Sequence, residues 1–290
     1  MKTRLLFVHA LSPLHPGTGQ GVGVIDLPVA REQATGLPYL PGSSLKGVLR
    51  DRCQGVSPEK CVPVFGPDTS NADEHAGAAH FSDQRLLLLP VRSLRGTFAW
   101  VTSPYLLNRL LRDAGDALPA GIPQTVPNPS EDECIVLGEV SALIFSNDSN
   151  KKVILEDLDL SVSTQDAKVW AEELAKQIFP ANSSWQTMMA ERICIVHDNV
   201  LNFLQQTALE VVARIRLQDD TKTVAQSGLW YEEALPTETV LVGIVLAAPV
   251  TKTGLSDDMV LETISGLTNK TLQFGGNATV GRGLCRVLLA

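Results

Sequence analysis

The residues best placed to do chemistry in this chain are those that handle phosphate. Pro41-Gly42-Ser43-Ser44-Leu45-Lys46-Gly47-Val48-Leu49-Arg50 opens a helix. Its first turn offers unpaired backbone N–H groups and the positive end of the helix dipole, a natural place for an anion. A serine is the expected cap, and Lys46 and Arg50, four residues apart, add positive charge on one face. Near the other end of the sequence, Gly275, Gly276, Asn277, Gly281, Arg282 and Gly283 form a loop in which backbone can approach a ligand closely. Taken singly, each segment reads better as a capped surface helix or a tight hairpin.

Other chemistries fit less well. Gly276 to Arg282 superficially matches a Walker A loop, but Arg stands for Lys, Gly283 replaces the magnesium-binding hydroxyl, and a strand follows instead of a helix. The glycines of residues 17–23 fall at every second position, which is not a dinucleotide fingerprint. Cys53, Cys61, His75 and His80 suggest zinc, yet eight positions between the cysteines is too wide for a zinc knuckle. There is no GxSxG nucleophile motif.

The elements that must position these groups follow from periodicity. Arg4 to Leu11 reads as a first strand. Leu45, Val48 and Leu49 lie on one face of the helix that starts near Ser43. Residues 53–76 read as a polar inserted lobe punctuated by Pro and Gly. Apolar runs at 78–91 and 96–102 predict strands, Pro104 opens a helix to Asp113, and a strand pair is expected around Ile135–Phe145. A helix is predicted over 168–179. Glu210 to Leu217 alternates cleanly, Gln218-Asp219-Asp220 has turn chemistry, and Thr221 to Ala225 can return as a hairpin arm. Thr239 to Leu246 is a central apolar strand, Ser256 caps a helix, and Leu284 to Leu289 closes the chain. This order predicts an α+β fold with a ferredoxin-type sheet carrying insertions.

Composition agrees with a folded, soluble protein. Of 290 residues, 44% are hydrophobic and 19% charged, and no apolar run approaches the roughly twenty residues of a membrane span. Neither the first residues nor any later stretch reads as a targeting segment, so the expected compartment is the cytoplasm. Five scattered cysteines without a CxxC pair are expected to be reduced and mostly buried. The net charge of −8 argues against nucleic acid until its distribution is considered. Residues 1–52 carry +3 and residues 266–290 carry +3, so the centre holds −14. The phosphate-handling motifs sit in the two basic ends.

Read together, the pieces resemble the RAMP superfamily, and within it the backbone subunits of type III-B (Cmr-type) CRISPR effectors. The resemblance is carried in order by His15-Pro16-Gly17-Thr18-Gly19, Ile25-Asp26-Leu27-Pro28-Val29, Leu37 to Gly47, Phe65-Gly66-Pro67, Phe81-Ser82-Asp83, Pro90-Val91-Arg92-Ser93, Trp100 to Pro104, Leu229-Trp230-Tyr231-Glu232-Glu233 and Phe274 to Gly283. It spans nearly the whole chain.

The resemblance implies a ferredoxin-like palm, a β-hairpin thumb placed at residues 197–236, and a C-terminal Gly-rich loop and closing strand at 272–290. It further implies copies stacked along guide RNA, other subunits of the effector as partners, and a complementary target RNA cut at regular intervals with a divalent metal ion, Mg or Mn. In that scheme Asp26 is the catalytic acid and metal ligand. Ser43, Ser44, Lys46, Arg50 and the Gly-rich loop face RNA. Physically, a wedge that unstacks one nucleotide can hold its 2′-OH in line with the next phosphate. Asp26 would then hold metal or act as base, His15 would orient or protonate, and one of Glu232 and Glu233, here Glu233, would complete a carboxylate group. The rival readings are a passive scaffold, which would not need Asp26, and a metal-free guide-processing nuclease relying on a histidine.

Overall fold

The computed structural model describes all residues except 20, 22, 68–75, 148–149 and 250–253. In chain order the elements are β1 (Lys2–Ala10), β2 (Tyr39–Leu40), α1 (Gly42–Val56), α2 (Pro58–Phe65), β3 (Ala79–Phe81), β4 (Gln84–Arg92), β5 (Phe98–Thr102) and α3 (Pro104–Ala114). Then follow β6 (Glu133–Ile135), β7 (Phe145–Asn147), β8 (Asn150–Leu155), β9 (Leu158–Val162), α4 (Lys168–Ile178), α5 (Ser183–Ala190), β10 (Ile193–Val196) and α6 (Asp198–Thr207). The chain finishes with β11 (Glu210–Leu217), β12 (Val224–Ala234), β13 (Val240–Ala247), α7 (Asp257–Thr268), β14 (Leu272–Gln273) and β15 (Leu284–Leu289).

Alternation along β1 decides how the centre is built. Leu6 and Val8 face one side, where α1 and α7 supply Leu45, Leu49, Val260 and Ile264 to a common cluster. Leu5 and Phe7 face the other, packing with Leu107 and Leu110 of α3 and with Trp170 and Leu174 of α4. A strand apolar on both faces must be covered on both, and β1 is. Its neighbours are antiparallel: Phe7 pairs with Leu288 of β15 and with Val242 of β13, and β13 pairs in turn with β4. The central order is therefore β15–β1–β13–β4, with α1 after β1 and α7 before β15. The sheet continues through β5, β10, β6, β9, β8 and β7, making a large mixed α+β sheet, since β10 joins β5 in parallel.

The structure refines three expectations. The segment read as a polar lobe at 53–76 contains two helical stretches: α1 runs on to Val56, and α2 buries Cys61, Val64 and Phe65, while His75 lies outside the described residues. Ser57 turns the chain between the two helices so that Cys53 and Cys61 meet with Cα atoms 5.7 Å apart and form a disulfide, where reduced thiols were expected. Cys134, Cys194 and Cys285 are free and buried. The pair expected around 135–145 reduces to β6, a single 3₁₀ turn at Gly138–Val140 and β7, because Gly138 and Ser141 interrupt the run.

The strands β11 and β12 form a separate two-stranded sheet, with Ala213 opposite Tyr231 and Ile215 opposite Leu229. The return arm is longer than the sequence suggested, reaching Ala234. Two strands alone are marginal in water, so the base of this hairpin must be held by something else.

Candidate RNA-processing site

That anchor is the N-terminal loop. Leu14 exchanges two backbone hydrogen bonds with Leu235 (2.9 and 2.8 Å), and Leu27 donates to Tyr231 O and accepts from Glu233 N, both at 3.0 Å. The segment around Leu27 thus runs as a short parallel strip along β12. Asp26 ends that strip. Its Oδ2 accepts from the Tyr231 N–H at 2.8 Å, its own carbonyl accepts from Gly21 N, and the carboxylate is exposed. A main-chain hydrogen bond fixes the acid while leaving it open to solvent.

Glu232 and Glu233 follow each other on β12, so their side chains leave on opposite faces. Both are nevertheless buried. Glu233 turns toward the N-terminal loop, where Oε1 takes the Arg31 guanidinium at 2.6 Å and Oε2 takes the Val29 N–H at 3.0 Å. Both oxygens are occupied, which makes Glu233 a clamp on the Asp26 loop instead of an open ligand. Glu232 turns the other way. Its Oε1 accepts from Trp230 Nε1 (3.0 Å), and its Oε2 from Arg214 Nε and Asn277 Nδ2 (both 3.1 Å). Burial alone would raise this carboxyl, but the bonds from Trp230 and Arg214 and the charges of Arg214 and Arg282 hold it below the ordinary carboxylate range. Glu232 ties the hairpin to the Gly-rich loop.

His15 is also buried. Its Nδ1 donates to the Glu233 carbonyl at 2.6 Å, and its own carbonyl accepts from Gly276 N at 3.0 Å. A Cβ on Gly17 would lie 2.6 Å from His15 Nε2, so the ring is enclosed from that side as well. The geometry is that of a loop-structuring residue. Gly275 has φ +72°, and a Cβ there would stand 2.2 Å from the His15 carbonyl oxygen, so only glycine fits this crossing.

The Gly-rich loop presents Gly275, Gly276 and Gly281 to solvent and leaves Asn277 half-buried. Arg282 and Gly283 are buried. The Arg282 side chain is buried within electrostatic reach of the hairpin base. There its charge acts on Glu232 and on Glu210, whose carboxyl burial raises and Arg282 partly restores. Arg282 Nη1 is buried without a hydrogen-bond partner among the described residues.

The first helix departs from the expected cap. Pro41 occupies the cap position without a side-chain bond, and the Gly42 N–H donates to Asp83 Oδ1 at 2.9 Å. The protein's own carboxylate fills part of the anion position read from the sequence. Gly42 is required there, because a Cβ would meet Phe81 O at 2.7 Å. Ser43 is exposed, and Ser44, Lys46 and Arg50 are half-buried on α1, whose core residues include Leu45, Leu49 and Cys53.

The structure therefore gathers Asp26, His15, Glu233, Asn277 and the Gly-rich loop at one junction, while Ser43, Ser44, Lys46 and Arg50 sit on a separate helix. Sequence reading missed Arg31, Arg214 and Trp230. The available signal was alternation of Arg214 and Trp230 with apolar neighbours on β11 and β12. Among the described residues no group of three or more His, Cys, Asp or Glu is placed to hold a metal ion, and no helix is long and apolar enough to cross a membrane.

Comparison with known proteins agrees with this architecture. The RAMP superfamily model matches residues 7–286. The Cmr endoribonuclease Cmr4 of Pyrococcus furiosus is 38% identical over 298 residues, covering all of this chain and 96% of the relative. The CMR subunit Cmr4 of Saccharolobus solfataricus is 25% identical over 96% of this chain and 93% of its own. Among solved structures, oligomeric Cmr4 from P. furiosus superposes with a TM-score of 0.75 at 32% identity, covering 100% of this chain and 98% of that one. A chain of the type III-B Cmr-beta complex bound to cognate target RNA gives a TM-score of 0.74 at 22% identity over 100% and 97%, a likeness of fold. Full-length similarity in sequence and in backbone leads to one conclusion: the chain belongs to the RAMP superfamily.

Proposed function

We propose that this chain is the repeated backbone subunit of a type III-B CRISPR effector, lying along guide RNA with further copies of itself and other effector subunits, and cutting the paired target RNA. In this reading the β15–β1–β13–β4 centre is a ferredoxin-like palm, the β11–β12 hairpin is the thumb, and the assembly works in the cytoplasm. Full-length similarity to a Cmr endoribonuclease supports the assignment. The observation that carries the cutting activity is the exposed Asp26 carboxylate, held by Tyr231 N at the root of the hairpin.

The hairpin displaces one target nucleotide, and the next phosphate comes to rest beside Asp26. Holding the 2′-OH in line converts a rare backbone conformation into the bound one. The 2′-oxygen bonds to phosphorus as the bond to the 5′-oxygen breaks, and the departing oxygen takes a proton from solvent, leaving a cyclic phosphate on one fragment and a hydroxyl on the other. Asp26 Oδ1, the oxygen not bonded to Tyr231, accepts the proton of the 2′-OH. Glu233 and Arg31 keep the loop in place, and His15 braces it against the Gly-rich loop.

A divalent ion fits an exposed carboxylate with few other protein donors, because Mg²⁺ commonly keeps water and takes phosphate oxygens from its substrate. Bound at Asp26, it would supply positive charge for the phosphate oxygens. The enclosed ring of His15 weighs against the metal-free, histidine-based alternative. The test is to assemble the full effector with a defined guide and end-labelled target. Regularly spaced cuts that stop on chelation and return with Mg²⁺ or Mn²⁺ are expected. An uncut target would favour the passive scaffold, and cutting in chelator would remove the metal.

A further inference from the structure

The strip that carries Asp26 is a ridge between two hollows. One, about 470 Å³, lies on the side of Val24, Pro28 and Gln206. The other, about 420 Å³, is bounded by Gly21, Asp26, Leu27, Ser227, Leu229 and Trp230, and it is the one that includes the carboxylate. Its walls are unusual for an exposed surface: two leucines and an indole beside an acid.

The hairpin is distorted at this point. The β11–β12 register shifts between Ile215 and Leu217, Ser227 has φ +57°, and a Cβ on Gly228 would lie 2.7 Å from Ala225 O. Such a bulge re-aims side chains and opens the ladder locally. Trp230 is not free to follow, because its only polar atom is bonded to Glu232, which Arg214 and Asn277 hold from two further directions. A half-buried aromatic ring, fixed before any ligand arrives, is a stacking platform that loses little freedom on binding.

From this geometry we infer that the hollow beside Asp26 receives one nucleobase of the target strand, the base next to the scissile phosphate, stacked on Trp230 and flanked by Leu27 and Leu229. The inference rests on the proposed cutting of RNA only in assigning the base to the target strand. Among the described residues the lining contains no Asn, Gln, Arg or Lys that could read a base edge, so the pocket holds any of the four bases by stacking. That tolerance is what a subunit needs if base pairing with the guide alone selects the target.

Two arms test it in the fully assembled effector. In the first, Asp26→Asn prevents cutting, and 2-aminopurine replaces the base beside a scissile phosphate. Its emission should be quenched with Trp230 present and rise severalfold in the Trp230→Ala background. In the second, an abasic nucleotide at that position should slow cutting by about tenfold or more, and Trp230→Ala should slow cutting of the normal target similarly. The two changes together should cost no more than either alone, since they remove the same contact. Trp230→Phe keeps a stacking face and should retain most of the rate. Full-rate cutting of the abasic target, additive losses, or emission indifferent to Trp230 would overturn the inference. If the Asp26→Asn complex still cuts, the catalytic assignment fails, and the emission arm still decides whether a base occupies the pocket.

Discussion

Asp26, Glu232 and Glu233 are three carboxylates in one small region with three different surroundings, and the surroundings decide what each can do. Asp26 is exposed with one oxygen fixed, Glu233 has both oxygens bonded to the loop it clamps, and Glu232 is the buried knot between hairpin and Gly-rich loop. Glu232 gives a pH prediction. A carboxyl whose pKa falls on folding contributes stability that is complete above its unfolded value and is lost as pH drops through the folded one. Glu232→Gln should therefore destabilise the chain at neutral pH, and the deficit should shrink below about pH 4, where wild type loses the same contribution. Urea midpoints across that range check it; a deficit independent of pH would assign the loss to shape instead of charge. The sequence placed the two glutamates on opposite faces. It gave no reason to expect both to be buried, because the covers are loops more than two hundred residues away in one case and about forty-five in the other. Asp26 itself was legible only through the family resemblance, since nothing in its immediate neighbours announces a fixed acid.

At the scale of elements, periodicity worked where an element packs along its length. The strands β1, β13 and β15 and helices α3, α4 and α7 lie where alternation or 3.6-residue spacing put them, within a residue or two. It failed where tertiary contacts override composition. The second helix begins at Pro58 and contains Pro63, inside the segment read as a polar lobe punctuated by Pro and Gly, yet its Val64 and Phe65 are core residues and a disulfide joins it to α1. The helix α6 hides in a polar stretch whose Leu201 and Leu204, with Val200 beside them, reach the core. The β11–β12 hairpin is the most telling element, because Val211, Ile215, Leu229 and Tyr231 stay exposed on one face. A strand pair that spends apolar surface on solvent has a use for it. Shortening the hairpin at residues 218–222 removes its turn without touching the bonds at its base. The proposed thumb role predicts normal folding and guide binding, with target cutting reduced by about a hundredfold because the 2′-OH is no longer held in line. A gel showing unchanged cut positions and rates would place the wedge elsewhere.

At the scale of the molecule, charge and chain ends work together. The basic termini meet in space: β1 and β15 are adjacent, and the Gly-rich loop closes over the residues that follow β1. If Lys46 and Arg50 contact guide phosphates, replacing both with Ala should weaken guide binding evenly across sequences and flatten its dependence on log salt by up to about two units. An unchanged slope would reject direct contact. The strand order of the large sheet was beyond the sequence, because a long insertion separates β4 from its partner β13. The central claim is that a protein-held acid at the hairpin root does the cutting, and its most direct test is the effector assembled with Asp26→Asn. Guide and target should bind as in wild type while every regularly spaced cut disappears. Cuts of normal position and rate in that complex would contradict the account.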